Sequence, residues 1–173
     1  MSAVLISPYA AIEATIRRYR PTHLVSLMVE PEVQTPEAIR PECHLRLSIH
    51  DVTEAGDGIT CPEHSHISSL LEFTRSWNRS SPILIHCWAG ISRSTAAAYI
   101  VLCDLQAAGD EYQLAQSLRF YAPHAQPNRL MIRHADALLA RQGRMTAAVE
   151  CMSPPIPAVE GTVVEIPLRP ESG

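Results

Sequence analysis

The sequence predicts an α/β protein: a three-layer sandwich with a central, mostly parallel sheet flanked by helices. Three observations predict it. Short apolar runs alternate along the chain with amphipathic stretches of helical period. The 173 residues fit one domain. Hydrophobic residues make up 46% and charged residues 18%, enough for a core and too little charge for a disordered chain.

Residues 4–6 read as a first strand. Ser7 reads as an N-cap with Pro8 at the first helical position, because Tyr9, Ile12, Ile16 and Tyr19 then repeat on one face. Pro21 ends that helix. Residues 23–29 and 45–49 carry the β-branched and alternating patterns of strands, and the proline-bearing stretch 30–42 between them reads as a loop. After Asp51 comes a loop with Gly56 and Gly58, then a helix whose apolar face is Ile67, Leu70, Leu71 and Thr74. Residues 82–86 suit a buried strand. The alanine-rich stretch 93–105 is apolar nearly all round and should be a central buried helix. Asp110 with Gln113 resembles a capping box that opens a helix to Ala122. Pro127 opens another, with Met131, His134, Ala135 and Leu138 on one side.

Residues 1–150 are expected to form the functional domain and 151–173 a tail. Residues 152–173 hold five of the 14 prolines, and Val163, Val164 and Ile166 are the residues that would dock it. The longest apolar run, 96–103, is far short of the roughly 18 residues of a membrane span. No secretory signal is visible, so a cytoplasmic location is expected, with no membrane partner. The net charge is −4 and all 14 basic residues are Arg, which disfavours a nucleic-acid partner. The five cysteines contain no CxxC pair, so one reactive thiol is a better reading than a disulfide framework. Cys61, His64 and His66, near His44 and His50, match no common zinc spacing, and neither metal nor cofactor is expected.

The informative segment is Ile85-His86-Cys87-Trp88-Ala89-Gly90-Ile91-Ser92-Arg93-Ser94. It sets a cysteine six positions before an arginine, across a turn from buried strand to helix. Such a turn aims successive backbone N–H groups into a concavity, where they and the helix dipole attract an anion. Arg93 can clamp two phosphate oxygens, and Gly90 relieves the turn. The same field stabilises negative charge on the Cys87 sulfur, making it the candidate nucleophile on a phosphoryl group held by loop residues Cys87, Trp88, Ala89, Gly90, Ile91, Ser92 and Arg93. Ser94 is placed to hydrogen-bond the sulfur, and His86 to steady the loop. A departing oxygen needs a proton. Asp51 is the leading candidate for that acid, because it follows the strand 45–49 and opens a glycine-bearing loop. Asp57 and Glu54 are the alternatives. Trp88 reads equally as a substrate platform or as packing, and Asn128 as a structural residue near the loop.

Residues 86–94 resemble the HCxxGxxR(S/T) signature of the cysteine-based protein tyrosine phosphatases, and Asp51 resembles the acid of their dual-specificity branch. The stretch Leu118-Arg119-Phe120-Tyr121-Ala122-Pro123, followed by Pro127-Asn128, is similar as well, so the likeness runs over about residues 3–139. The resemblance implies that Cys87 is the nucleophile, Arg93 the clamp, Asp51 the acid and Ser94 the hydrolysis aid. It implies no cofactor, and a phosphorylated protein or small phosphoester as substrate. The variable loop positions carry no positive charge, which disfavours phosphoinositides. No tyrosine-bearing recognition loop deepens the pocket, so phosphotyrosine is the expected substrate, with phosphoserine and phosphothreonine also admitted. The rival class is a module that binds phosphate without turnover.

Overall fold

The structure is a computed structural model and describes residues 2–168. Five strands form its sheet: β1 (Ala3–Pro8), β2 (His23–Leu27), β3 (His44–Leu47), β4 (Ile83–Cys87) and β5 (Val164–Pro167). Their order is β3-β2-β4-β1-β5, parallel throughout except β5, which runs antiparallel to β1. Among the described residues six α-helices flank the sheet: α1 (Ile12–Tyr19), α2 (His64–Arg75), α3 (Arg93–Leu105), α4 (Glu111–Tyr121), α5 (Arg129–Leu138) and α6 (Arg144–Glu150). Alternation along each strand splits the core between two faces. Val4, Ile6, Val25, Leu27, Ile83 and Ile85 join the cluster made with α2 to α6, whereas Leu5, Leu24 and Leu84 pack on Ile12 and Ile16 of α1.

Helix α3 runs through the larger cluster with residues 94–103 all buried, and its three consecutive alanines let it lie close to the sheet. The parallel arrangement brings the carboxyl ends of β1, β2, β3 and β4 to one edge, where ligands bind in open α/β sheets. Among the described residues no helix is long and apolar enough to cross a membrane.

Three local expectations are corrected. Ser7 is not an N-cap and Pro8 does not open a helix. Pairing of β1 with β4 continues through Ser7↔His86 to Pro8↔Cys87, so Pro8 is extended and the chain turns through a 3₁₀ helix, Tyr9–Ala11, before α1 begins. Asp110 stands before α4 but its side chain makes no cap bond, because its backbone is already in the α region. The capping box lies instead on α2, where Glu63 accepts from the N3 backbone and His66 Nδ1 accepts from the Glu63 amide at 3.0 Å. Strand β3 ends at Leu47 rather than 49, since Ile49 N turns back to Leu47 O at 3.0 Å.

Helix α6 has no counterpart in the sequence reading, and its start is set from outside. The buried Asp136 carboxylate of α5 accepts from Gly143 N at 2.6 Å and Met145 N at 2.7 Å. Hydrogen bonds to a charged group are each worth roughly 1.5–3 kcal/mol. Asp136→Ala should therefore lower unfolding free energy by about 2–4 kcal/mol in urea denaturation, and a change below about 0.5 kcal/mol would contradict this origin of α6.

Candidate active site

Strand β4 ends at Cys87 and α3 begins at Arg93, so the intervening loop must reverse within five residues. Gly90 makes the reversal at φ +69°, with its Cβ position only 2.7 Å from Pro8 N; a side chain fits neither the backbone nor the space. The loop carbonyls all point outward and are met by segments from distant parts of the chain. Trp88 O accepts from Tyr9 N at 3.0 Å, Ala89 O from Gly161 N at 2.8 Å, and Ile91 O from Gln126 N at 2.9 Å. Ser92 O accepts from Ala96 N at 3.0 Å and Asn128 N at 3.3 Å, and Gly90 O faces the His124 imidazole. A trans peptide directs the carbonyl of one residue opposite to the N–H of the next. Outward carbonyls at 88–92 therefore turn the N–H groups of 89–93 inward, where they donate no hydrogen bond among the described residues.

Cys87 and Ser94 are both buried, and Cys87 Sγ lies 3.2 Å from Ser94 Oγ. Arg93 Nη1 donates to Ile49 O at 2.8 Å, while its buried Nε has no partner among the described residues. The guanidinium is thus anchored on one edge, and its other edge keeps the fork that matches two phosphate oxygens. A cavity of about 390 Å³ opens above, lined by Asp51, Cys87, Trp88, Ala89, Ile91, Ser92, Arg93 and Gln126.

Of the three candidate acids, Asp51 alone lines this cavity; Asp57 and Glu54 are exposed on the loop beyond it. Asp51 Oδ1 accepts from Ser92 Oγ at 2.7 Å and Asn128 Nδ2 at 2.9 Å. Asn128 also bonds Val52 O at 3.1 Å and caps α5 by accepting from Leu130 N and Met131 N. It therefore ties the Asp51 segment to the start of α5. Trp88 is 57% exposed at the cavity rim and stacks on Tyr9, with centroids 5.7 Å apart.

His86, behind the sulfur, belongs to a buried polar chain. Its Nδ1 lies 3.5 Å from Cys87 O and its Nε2 2.6 Å from Ser26 Oγ. Ser26 Oγ lies 2.8 Å from His44 Nε2, and His44 Nδ1 3.0 Å from Thr35 Oγ1. Arg46 Nη2, which can only donate, reaches Thr35 Oγ1 at 2.7 Å. Burial lowers the pKa of His86 to about 4, against the hydrogen bond to the Cys87 carbonyl and with the Arg93 charge acting in the same direction as burial. Burial and Arg46 bring His44 to about 4.

Cys61 and the histidines near it in sequence do not converge on one point. His50 Nδ1 accepts from Thr60 N, Cys61 Sγ donates to Glu54 O, His66 serves the capping box, and His64 packs on His134 with ring centroids 4.3 Å apart. No group of three such side chains among the described residues could hold a metal ion. Sequence reasoning missed Gln126, His124 and Gly161, which meet the loop from distant positions, and the chain in which Ser26 and His44 stand behind His86; none of these carries a local pattern.

Residues 50–125 match the family model of the protein-tyrosine phosphatases. Among solved structures, DUSP15 superposes with a TM-score of 0.64 at 18% identity, covering 88% of this chain and 97% of that one. The Yvh1 phosphatase domain from Chaetomium thermophilum gives 0.58 at 18%, covering 82% and 93%, and human DUSP28 gives 0.56 at 19%, covering 80% and 94%. A search of curated proteins returns no significant match. The matched segment contains the loop between β4 and α3, and the fold is that of the solved dual-specificity phosphatases.

Burial holds His86 and His44 neutral, and it also lowers His23, His124 and His134. An unfolded histidine titrates near 6.5, so from there down to about pH 4 the unfolded chain binds more protons than the folded one. Stability should be flat from pH 8 to 7 and fall by about a few kcal/mol between pH 6.5 and 4, read by urea unfolding. His44→Gln should make that fall shallower. A stability that does not change between pH 6.5 and 4 would contradict the neutral chain.

Proposed function

We propose that this chain is a phosphoric monoester hydrolase that dephosphorylates phosphotyrosine, and also phosphoserine or phosphothreonine, through a cysteinyl-phosphate intermediate. The observation that carries this reading is Arg93: its Nη1 is anchored on Ile49 O and its Nε is unpartnered, beside a Cys87 sulfur in contact with Ser94. A phosphoryl group seated on the inward N–H groups and the free edge of Arg93 lies over Cys87 for in-line attack. The Cys87 thiolate bonds to phosphorus as the bond to the leaving oxygen breaks. Asp51, held at Oδ1 by Ser92 and Asn128, supplies that oxygen with its proton. Water then attacks phosphorus and gives its proton to Asp51, and the phosphorus–sulfur bond breaks. The Ser94 hydroxyl donates to the departing sulfur. The stacked Trp88 and Tyr9 rings at the rim offer an apolar wall to an aryl ester, while the open cavity also admits shorter alkyl esters. The loop between Cys87 and Arg93 carries no cation to favour a multiply phosphorylated headgroup.

The purified protein should hydrolyse p-nitrophenyl phosphate and a phosphotyrosine peptide. Cys87→Ser should fall below about 1% of wild-type turnover while still binding inorganic phosphate, because the cradle is backbone and Arg93. Residual turnover above that level would refute the covalent route, and phosphate binding by a wild type without turnover would make the chain a binding module.

Asp51→Asn should slow hydrolysis of a phosphotyrosine ester far more than of an ester whose leaving group is already a stable anion, and should flatten the basic limb of the pH–rate profile. Asp57→Asn, run in parallel, should show neither effect. The reverse pattern would move the acid to Asp57, and the absence of both effects would move it to Glu54 or to water.

A further inference from the structure

Residues 151–168 do not trail away from the domain. Arg119 Nε donates to Ser153 O at 3.0 Å, Ile156 N to Pro123 O at 2.9 Å, and β5 then pairs with β1. Between these anchors the segment passes behind the loop that joins β4 to α3, and its point of contact is the buried Gly161, whose N–H takes Ala89 O at 2.8 Å. Gly161 has an ordinary backbone conformation, so glycine is required here by space and not by φ. A Cβ at this position would sit 2.5 Å from His124 Nε2 and 2.8 Å from Gly90 O. The carbonyl is backbone and cannot swing aside, and on its other side Gly90 is already closed against Pro8 N.

We propose that the C-terminal segment is a positioning element of the phosphate loop, acting through Gly161, with His124 as the spacer between the two. The inference rests on the reading of this loop as an anion cradle. By holding the Ala89 carbonyl outward, Gly161 fixes the Gly90 N–H inward, and by its close approach with His124 it confines the Gly90 carbonyl and so the Ile91 N–H. Two of the five inward donors are thereby set by a segment more than 60 residues further along the chain, about two-fifths of the cradle. The segment touches the loop from outside the cavity: none of its residues lines the cavity above Cys87.

The test compares Gly161→Ala with wild type and with Thr162→Ala, an exposed neighbour, in the full chain. Amide hydrogen exchange at residues 89–92 should speed up in Gly161→Ala while exchange in β1 and β5 stays as in wild type, and inorganic phosphate should inhibit at least tenfold more weakly. The catalytic constant and KM should both move, since the loop is loosened for ground and transition state alike. Thr162→Ala should match wild type in all of these. Exchange at 89–92 and phosphate inhibition within twofold of wild type in Gly161→Ala would overturn the inference. Should Gly161→Ala not fold, His124→Ala, which opens space instead of closing it, should show the same faster exchange at 89–92, and wild-type exchange there would overturn it. The exchange readout does not depend on turnover. A wild type that neither binds phosphate nor hydrolyses esters refutes the phosphatase reading, whereas unchanged exchange refutes the role of Gly161 alone.

Discussion

Five consecutive carbonyls, at residues 88–92, are turned away from the cavity and met by five separate parts of the chain. Tyr9 follows β1, Gly161 lies in the C-terminal segment, His124 and Gln126 belong to the stretch between α4 and α5, and Asn128 caps α5 while Ala96 belongs to α3. A loop with inward N–H groups has no regular secondary structure to satisfy it, so its outer face must be paired from elsewhere. The inward face is left with donors that only an anion can satisfy together. The sheet order serves this constraint: placing β4 between β2 and β1 brings the ends of both neighbours against the loop.

The same arrangement explains why the remaining groups sit where they do. Ile49, just past β3, gives its carbonyl to Arg93, and Asp51 follows two residues later to line the cavity. Asn128 joins the two halves, bonding Asp51 with its side chain and Ser92 with its amide. Behind the sulfur, the chain from Arg46 through Thr35, His44 and Ser26 to His86 begins at a group that only donates and ends at a carbonyl that only accepts. A single hydrogen-bond direction satisfies both ends, with each neutral histidine donating from one nitrogen and accepting at the other. The members of this chain are thus paired behind the sulfur without a carboxylate among them.

What was legible in the sequence is what is local. Residues 86–94 form one strand, turn and helix, so their spacing alone brings the loop N–H groups, the Cys87 sulfur and the Arg93 guanidinium together. Asp51 was legible because the direction of a parallel strand decides which edge its end reaches. Strands and the buried α3 followed from periodicity and from the run of alanines. The start of α1 was misread because Ser7-Pro8 is a good helix opening in isolation, and only pairing with His86 and Cys87 keeps both residues in β1. Helix α6 was missed because its cap, Asp136, belongs to another helix. Gly161 and His124 meet the loop, and Ser26 and His44 reach His86 behind it, through contacts formed only when distant segments meet, and a glycine needed for space looks like any other in a proline-rich stretch.

The claim on which everything else rests is that the loop is a preformed anion site made of backbone N–H groups and Arg93. Titration of the ¹⁵N-labelled chain with inorganic phosphate, followed by amide and arginine side-chain resonances, tests it most directly. The account predicts that the amides of residues 89–93 and the Arg93 Nε–H shift together and saturate with one dissociation constant. Saturating shifts confined to another cationic surface, such as that of Arg17, Arg20 and Arg40 beside α1, with residues 89–93 unmoved, would contradict it.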